Sequence, residues 1–90
     1  MASKLQNKTI DLLKSQGWKV LNIVRLGESG YPDLLALKDG IAIFIECKEA
    51  NDTLKPLQQF RINELQKIGF KAFVEQDGKP SELKSYLESF

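Results

Sequence analysis

The 90-residue sequence contains no histidine and only one cysteine, Cys47. Without histidine, the chain has no Ser-His or Cys-His nucleophile pair, no histidine acid–base catalyst and none of the usual zinc sites. A single cysteine excludes an internal disulfide and suits a reducing compartment such as the cytoplasm. Any catalysis must therefore rely on carboxylates, lysines and a hard metal ion.

Long apolar segments and a strong net charge are also lacking. No run approaches the roughly 18 apolar residues that span a bilayer, and residues 1–5 show no secretory pattern, so we expect no membrane association. The net charge is only +1, although the first 25 residues hold five basic residues and one acidic residue. This basic end indicates either a phosphate-facing surface or chance scatter in a short chain.

The length predicts a single domain over residues 1–90, and 42% hydrophobic residues are enough for one core. Stability at this size is marginal, which favours a homodimer. Apolar periodicity and turn signals predict an alternation of helices and strands. The predicted helices are 3–16, 56–68 and 80–90, and the predicted strands are 18–26, 33–38, 41–48 and 70–75.

The order helix, three strands, helix, strand, helix indicates an α/β fold with a mixed sheet flanked by helices. Asp39-Gly40 predicts a tight hairpin between the second and third strands. The apolar start of the third strand predicts a central position, covered on both faces. Because a helical crossover precedes the last strand, we expect that strand to lie parallel to its neighbour.

Three charged residues gather around the predicted hairpin. Glu46 and Lys48 project from the same face at the end of the third strand, because strand side chains alternate. Counting from the turn places Asp33 opposite about Glu46. Two carboxylates so close repel each other unless a divalent cation lies between them. The alternative interpretations are a solvated strand end and a turn-forming Pro-Asp pair.

Three motifs in order resemble those of the PD-(D/E)xK nuclease superfamily, and more closely those of its VRR-Nuc group. They are Gly30-Tyr31-Pro32-Asp33, Glu46-Cys47-Lys48 and Leu54-Lys55-Pro56-Leu57-Gln58, with Leu65 and Gly69 following at family-like positions. The resemblance covers roughly residues 3–75. It implies a restriction-endonuclease-like core of the same α-β-β-β-α-β order.

The resemblance also implies roles for site residues. Asp33 and Glu46 would bind Mg²⁺ or Mn²⁺ together with the backbone carbonyl of Cys47. Lys48 would be the catalytic lysine, and Gln58 would support the site. Small stand-alone members of the group occur in phages and look like homodimers that cut branched DNA, including four-way junctions.

One departure from the family concerns the first helix, where members often carry a glutamate that completes the metal site. No acidic residue occurs before Thr9. Either Gln6 supplies an amide oxygen in its place, or the chain begins just after that position. The number of metal ions stays open for this reason.

Further residues are candidates for DNA contacts, with solvated surface as the alternative interpretation. These candidates are Ser29, Tyr31, Lys4, Lys8, Arg25, Lys55 and Arg61. Glu49 and Asp52 are expected to lie outside the metal ligands, and the Cys47 thiol is expected to be inert. Core positions are expected at Trp18, Phe44, Phe70 and Phe73.

Together these features predict a metal-dependent, structure-specific DNA endonuclease acting inside a bacterial or phage-infected cell. Water would attack the phosphorus, the metal and Lys48 would stabilise the developing charge, and the 3′ oxygen would leave. One alternative is a flap, mismatch or restriction-like endonuclease. Others are a non-catalytic DNA-binding module that retains the fold, and a subunit of a larger complex.

Overall fold

Three helices and four strands follow one another along the chain in the predicted order. The computed structural model describes residues 3–90, so residues 1 and 2 of the predicted domain lie outside the described range. The helices are α1 (Lys4–Ser15), α2 (Pro56–Lys67) and α3 (Glu82–Glu88). The strands are β1 (Lys19–Asn22), β2 (Leu34–Lys38), β3 (Ile41–Lys48) and β4 (Lys71–Gln76).

The four strands form one mixed sheet in the order β1-β2-β3-β4. The first two pairs are antiparallel, and β4 lies parallel to β3 after the α2 crossover. At the hairpin, Asp39 and Gly40 have φ angles of 49° and 79°, the pair of positive values that a two-residue type I′ turn requires. This turn sets Lys38 opposite Ile41 and therefore fixes the register of β2 against β3. The predicted α/β fold, central third strand and parallel last strand are confirmed.

Helices cover both faces of the sheet. Alternate residues of β3, including Ile43 and Ile45, face α1 and α3, whereas Phe44 faces α2. The larger cluster consists of Leu13, Trp18, Leu34, Ala36, Ile43, Ile45, Phe73, Leu83 and Leu87. The smaller cluster, under α2, consists of Ile62, Leu65 and Ala72. Glu46 and Lys48 follow Phe44 at alternate positions, so they project on the α2 face.

The helix starts follow their sequence signals. The Ser3 hydroxyl accepts a hydrogen bond from the Gln6 amide and so begins α1, as expected for a serine N-cap. Pro56 occupies the first turn of α2, where the missing N–H has no helical partner to lose. Within residues 3–90, no helix is long and apolar enough to cross a membrane.

Two predictions about apolar residues are wrong. The first strand ends at Asn22 rather than at residue 26, and Val24 beyond it is 91% exposed. The Ile23 amide still donates to the Asp33 carbonyl at 2.7 Å, but β2 does not extend before Leu34 and offers no further ladder partner. Phe70, expected in the core, precedes β4 and is 42% exposed, with its ring edge-on to that of Phe44 at a centroid distance of 6.0 Å.

Candidate active site

Asp33, Glu46 and Lys48 lie at one end of the β2–β3 hairpin. The last ladder pair is Leu34 with Ile45, so the register places Asp33 opposite Glu46 one step further on. Directly opposed residues of an antiparallel pair project on the same face. Glu46 and Lys48 are both buried despite their charges. The hairpin therefore brings two acids and one lysine together on the α2 face.

Proline at position 32 determines how this end of the hairpin is bonded. Hydrogen-bonded pairs alternate along an antiparallel ladder, so the hydrogen-bonded pair after Leu34 and Ile45 would be Pro32 and Cys47. Proline, however, has no N–H to donate to the Cys47 carbonyl. The Cys47 amide instead donates to Oδ2 of Asp33 at 2.9 Å. This bond orients the Asp33 carboxylate. The Cys47 carbonyl points toward the same edge of β3, and it has no ladder donor because Pro32 lacks an N–H.

Glu46 has an unusual electrostatic environment. Its side chain is only 4% exposed, and burial is the main reason that the pKa of Glu46 rises from 4.5 to about 7. Repulsion from Asp33 adds to the rise, while the Lys48 ammonium, with Nζ 3.6 Å from Oε2, opposes it. A positive ion beside the two carboxylates would relieve both the desolvation and the repulsion.

Gln58 connects α2 to the site. Its Oε1 accepts a hydrogen bond from the Lys55 amide at 2.9 Å, and its Nε2 donates to Oε2 of Glu46 at 3.4 Å. The first contact satisfies the backbone N–H of Lys55, the N-cap residue of α2, and the second brings the N-terminal end of α2 beside Glu46. No acidic residue occupies this first turn, so the positive end of the helix dipole is not neutralised there.

The donor set fits a hard divalent cation. Two carboxylates and a backbone carbonyl are oxygen ligands of the kind that Mg²⁺ and Mn²⁺ prefer, with water and phosphate oxygens filling the remaining positions. Among residues 3–90, no group of three or more acidic, cysteine or histidine side chains assembles. The side chains of Asp33 and Glu46 would therefore fill only part of the coordination shell of such an ion.

The loop before Asp33 is fastened to α2 by three of the residues predicted to contact DNA. Arg61 Nε donates to the Ser29 carbonyl at 2.9 Å, and the guanidinium lies 4.8 Å from the centre of the Tyr31 ring. The Tyr31 hydroxyl lies 3.1 Å from Oε1 of Glu64 and 3.2 Å from Oε2 of Glu28, and its single proton can be donated to either carboxylate. Desolvation, followed by these hydrogen bonds, raises the pKa of Tyr31 above its ordinary value. The side chains of Tyr31 and Arg61 are thus engaged within the protein, whereas Ser29 takes part through its backbone carbonyl alone and its side chain is exposed.

None of the remaining predicted residues forms a hydrogen bond or ion pair with Asp33 or Glu46 within residues 3–90. Gln6 Nε2 donates to Oδ1 of Asn22 at 3.3 Å, at the end of β1. In the described chain, no hydrogen bond joins Gln6 to Asp33 or Glu46. The other candidates for DNA contacts are exposed, namely Lys4, Lys8, Arg25 and Lys55.

Sequence reasoning did not assign a role to Asp52 or Gln76. Asp52 Oδ2 lies 3.5 Å from Lys48 Nζ, and Gln76 is the ladder partner of Lys48 on β4. The predicted parallel pairing of the last strand with its neighbour was the sequence signal that could have placed Gln76 next to Lys48. Cys47 projects on the α1 face, where burial raises the pKa of its thiol to about 12, so the thiol stays protonated.

A mixed sheet with helices on both faces, and two acids and a lysine at one hairpin end, define the PD-(D/E)xK type of nuclease fold. A solved structure titled "VRR_NUC domain" superposes with a TM-score of 0.74 at 25% identity, over 96% of this chain and 88% of that chain. Hjc of Archaeoglobus fulgidus, a Holliday junction resolvase from an archaeal hyperthermophile, superposes with a TM-score of 0.62 at 16% identity. That match covers 87% of this chain and 71% of the resolvase chain.

No protein-family model matches this sequence, and no curated protein sequence matches it. The resemblance to VRR-Nuc proteins, stated above on the motifs, is confirmed by the structural neighbours. Both neighbours have PD-(D/E)xK-type nuclease folds.

Proposed function

We propose that this chain is a divalent-metal-dependent endonuclease that hydrolyses phosphodiester bonds in branched DNA. The observation that carries the proposal is the burial of Glu46 and Lys48 beside Asp33 at the end of the hairpin. Burying a charged pair next to a second acid costs stability, and such groups cluster at catalytic sites. The nuclease folds of the structural neighbours support the same reaction class.

Each side chain has a distinct part in the proposed reaction. Asp33, oriented by the Cys47 amide, and Glu46, held by Gln58, provide the carboxylates that would hold Mg²⁺ or Mn²⁺ with the Cys47 carbonyl. The ion, when bound, would polarise the phosphate and lower the pKa of water. Lys48 places a positive charge beside the phosphorus as negative charge develops on its oxygens. Water forms the new bond to phosphorus and gives up a proton to solvent, the bond to the 3′ oxygen breaks, and that oxygen takes a proton from solvent.

The preference for branched DNA is drawn from the resolvase neighbour and from the resemblance to small VRR-Nuc proteins. The N-terminal end of α2 and Lys55 lie beside Glu46 through Gln58, and helix N-termini favour phosphate.

We further propose that residues 1–90 form one domain, that two copies associate, and that the protein works in the cytoplasm, which suits its free cysteine. Two copies would present two sites for paired cuts.

The decisive experiment compares the wild type with Lys48→Ala on a four-way junction in Mn²⁺. We expect cleavage by the wild type and a loss of about 100-fold or more in the variant, because a charge that stabilises the transition state is removed. Lys67→Ala, which removes an exposed lysine at the far end of α2, is the matched control. Equal rates for wild type and Lys48→Ala would overturn the site assignment.

Matched linear, flap and four-way substrates test the substrate preference. We expect the four-way junction to be cut fastest, and faster cutting of flaps or linear DNA would replace the branched-DNA proposal with the flap or restriction-like alternative.

Sedimentation analysis of the purified protein, with and without DNA, tests the dimer. A monomer at all concentrations would exclude it.

A second candidate function is a DNA-binding module that does not cleave. It is favoured by the incomplete set of acidic ligands among residues 3–90 and by the position of Lys48 against Glu46, where a cation would otherwise lie. This candidate predicts junction binding that persists in EDTA and no product in Mg²⁺ or Mn²⁺. Product that depends on either ion excludes it.

A further inference from the structure

Lys48 lies between two carboxylates. Its Nζ is 3.6 Å from Oε2 of Glu46 and 3.5 Å from Oδ2 of Asp52, while its side chain is only 8% exposed. The two acids are not equivalent in the proposed reaction. Glu46 would share its negative charge with a divalent ion, which weakens its attraction for the ammonium. Asp52 is the carboxylate that remains to hold Lys48 in place.

Asp52 needs support, because its side chain is 56% exposed on the loop between β3 and α2. Gln76 Nε2 gives that support, because its two protons face three carbonyls of the loop, those of Asp52 at 2.7 Å, Glu49 at 3.1 Å and Ala50 at 3.4 Å. The Asp52 amide also donates to the Glu49 carbonyl at 3.0 Å. The loop is therefore closed on itself and fastened to β4.

Gln76 is also the ladder partner of Lys48 across the β3–β4 pair. The Asp77 amide beside it donates to the Lys48 carbonyl at 3.1 Å. One short stretch of β4 thus holds both the backbone of Lys48 and the loop that carries Asp52. The three side chains line the same cavity, of about 320 Å³, on the side of Lys48 away from Asp33.

We infer that Asp52 is a positioning residue for Lys48 and that Gln76 positions Asp52 by holding the 49–52 segment. The inference rests on the proposed nuclease function. Asp52 keeps the Lys48 ammonium beside the scissile phosphate when the charge of Glu46 is taken up by the metal. Gln76 acts one step further from the chemistry, through the backbone of the loop.

The test compares kcat and KM for junction cleavage in the wild type, Asp52→Asn, Gln76→Met and the control Glu49→Gln. Glu49 is an exposed acid in the same loop with no ion pair to Lys48 among the described residues. We expect Asp52→Asn and Gln76→Met to lower kcat by about 10-fold with KM changed by less than about 2-fold, since positioning acts on the transition state. Glu49→Gln should match the wild type.

A cycle with Lys48→Ala separates positioning from a general effect on folding. If Asp52 acts through Lys48, Asp52→Asn has no further effect on the residual rate of Lys48→Ala. Urea unfolding in EDTA of the four proteins of this cycle (the wild type, Lys48→Ala, Asp52→Asn and the double variant) gives a readout that does not need activity. We expect Lys48 and Asp52 to be coupled in the unfolding equilibrium by a factor of about 2 or more.

The outcomes distinguish the two levels of the proposal. A wild type that cleaves, with Asp52→Asn as active as Glu49→Gln, overturns this inference and leaves the nuclease function standing. An equal loss from Asp52→Asn in the wild-type and Lys48→Ala backgrounds also overturns it, because Asp52 would then act elsewhere. A wild type that cleaves no substrate in either metal overturns the function, and this inference falls with it.

Discussion

At the scale of single residues, Glu46 is the group whose ionisation the fold opposes. Burial and the nearby Asp33 raise its pKa from 4.5 to about 7. A carboxyl group with a raised pKa binds its proton more tightly in the folded state than in the unfolded state. The folded protein is therefore favoured below pH 4.5, and this advantage is lost as the pH rises through about 7.

This asymmetry predicts the pH dependence of stability in the metal-free protein. Between pH 4.5 and 7 the free energy of unfolding should fall by about 1–3 kcal/mol because of Glu46, and Glu46→Gln should remove most of the decrease. Urea unfolding in EDTA measures the effect, with the exposed Glu88→Gln as the control. A decrease of the same size in Glu46→Gln and in the wild type would contradict the assigned environment of Glu46.

Arg61 is a second residue whose role can be tested, because its contacts lie within the protein whereas the sequence predicted a DNA contact. Its side chain is 14% exposed and is committed to the Ser29 carbonyl, Glu28 and Glu64. Arg61→Ala should therefore lower stability by about 1–3 kcal/mol, because it leaves a loop carbonyl and two acids without their partner.

The salt dependence of junction binding separates this structural role from a phosphate contact. Loss of one phosphate contact reduces the slope of log K against log salt by about 1. We expect that reduction for Lys55→Ala, beside the site, and an unchanged slope for Arg61→Ala. A reduced slope with unchanged stability in Arg61→Ala would instead support the direct DNA contact that the sequence predicted.

At the scale of elements, the loop that carries Pro32-Asp33 is packed closely against α2. Gly30 has a φ of 88°, and a Cβ at this position would lie 2.6 Å from Cγ of Leu57. Gly30→Ala should therefore lower the free energy of unfolding by about 2–4 kcal/mol, from backbone strain and from overlap. It should also reduce cleavage, because Asp33 follows the displaced segment.

Gly27→Ala is the matched control in the same loop, since a Cβ there meets no atom within 4 Å. Thermal unfolding of both variants, followed by the cleavage assay on the fraction that folds, makes the comparison. If Gly30→Ala were as stable and as active as Gly27→Ala, the loop would not be held against α2 as described.

The β2–β3 hairpin was predictable because its determinants are local. Asp39 and Gly40 specify the turn, and counting back from it places Asp33 opposite Glu46. The end of β1 was not predictable in this way. Val24 and Leu26 have the composition of a strand, but the strand stops where its partner β2 begins, and that is a property of a distant segment.

The same contrast applies to the candidate site. Asp33, Glu46 and Lys48 follow from alternation along two adjacent strands, and the capping position of Gln58 follows from the start of α2. The roles of Asp52 and Gln76 arise from a contact between residues 24 positions apart in the chain. Such a contact depends on how the loop folds over β4, which the sequence pattern does not specify.

At the scale of the whole molecule, the charged groups are divided between the two faces of the sheet. Lys4 and Lys8 lie on α1, which packs over the Ile43 and Ile45 face, whereas Glu46 and Lys48 project on the α2 face. A DNA segment that reaches both sets has to pass round the end of the sheet.

We propose above that Asp33 and Glu46 share a divalent ion at the end of the hairpin. Crystals grown with Mn²⁺ and measured at the manganese edge test it directly. We expect an anomalous peak about 2.0–2.3 Å from a carboxylate oxygen of each acid and from the Cys47 carbonyl, and we expect this peak to be lost in Asp33→Asn. A peak that contacts neither carboxylate, or one that persists unchanged in Asp33→Asn, would contradict it.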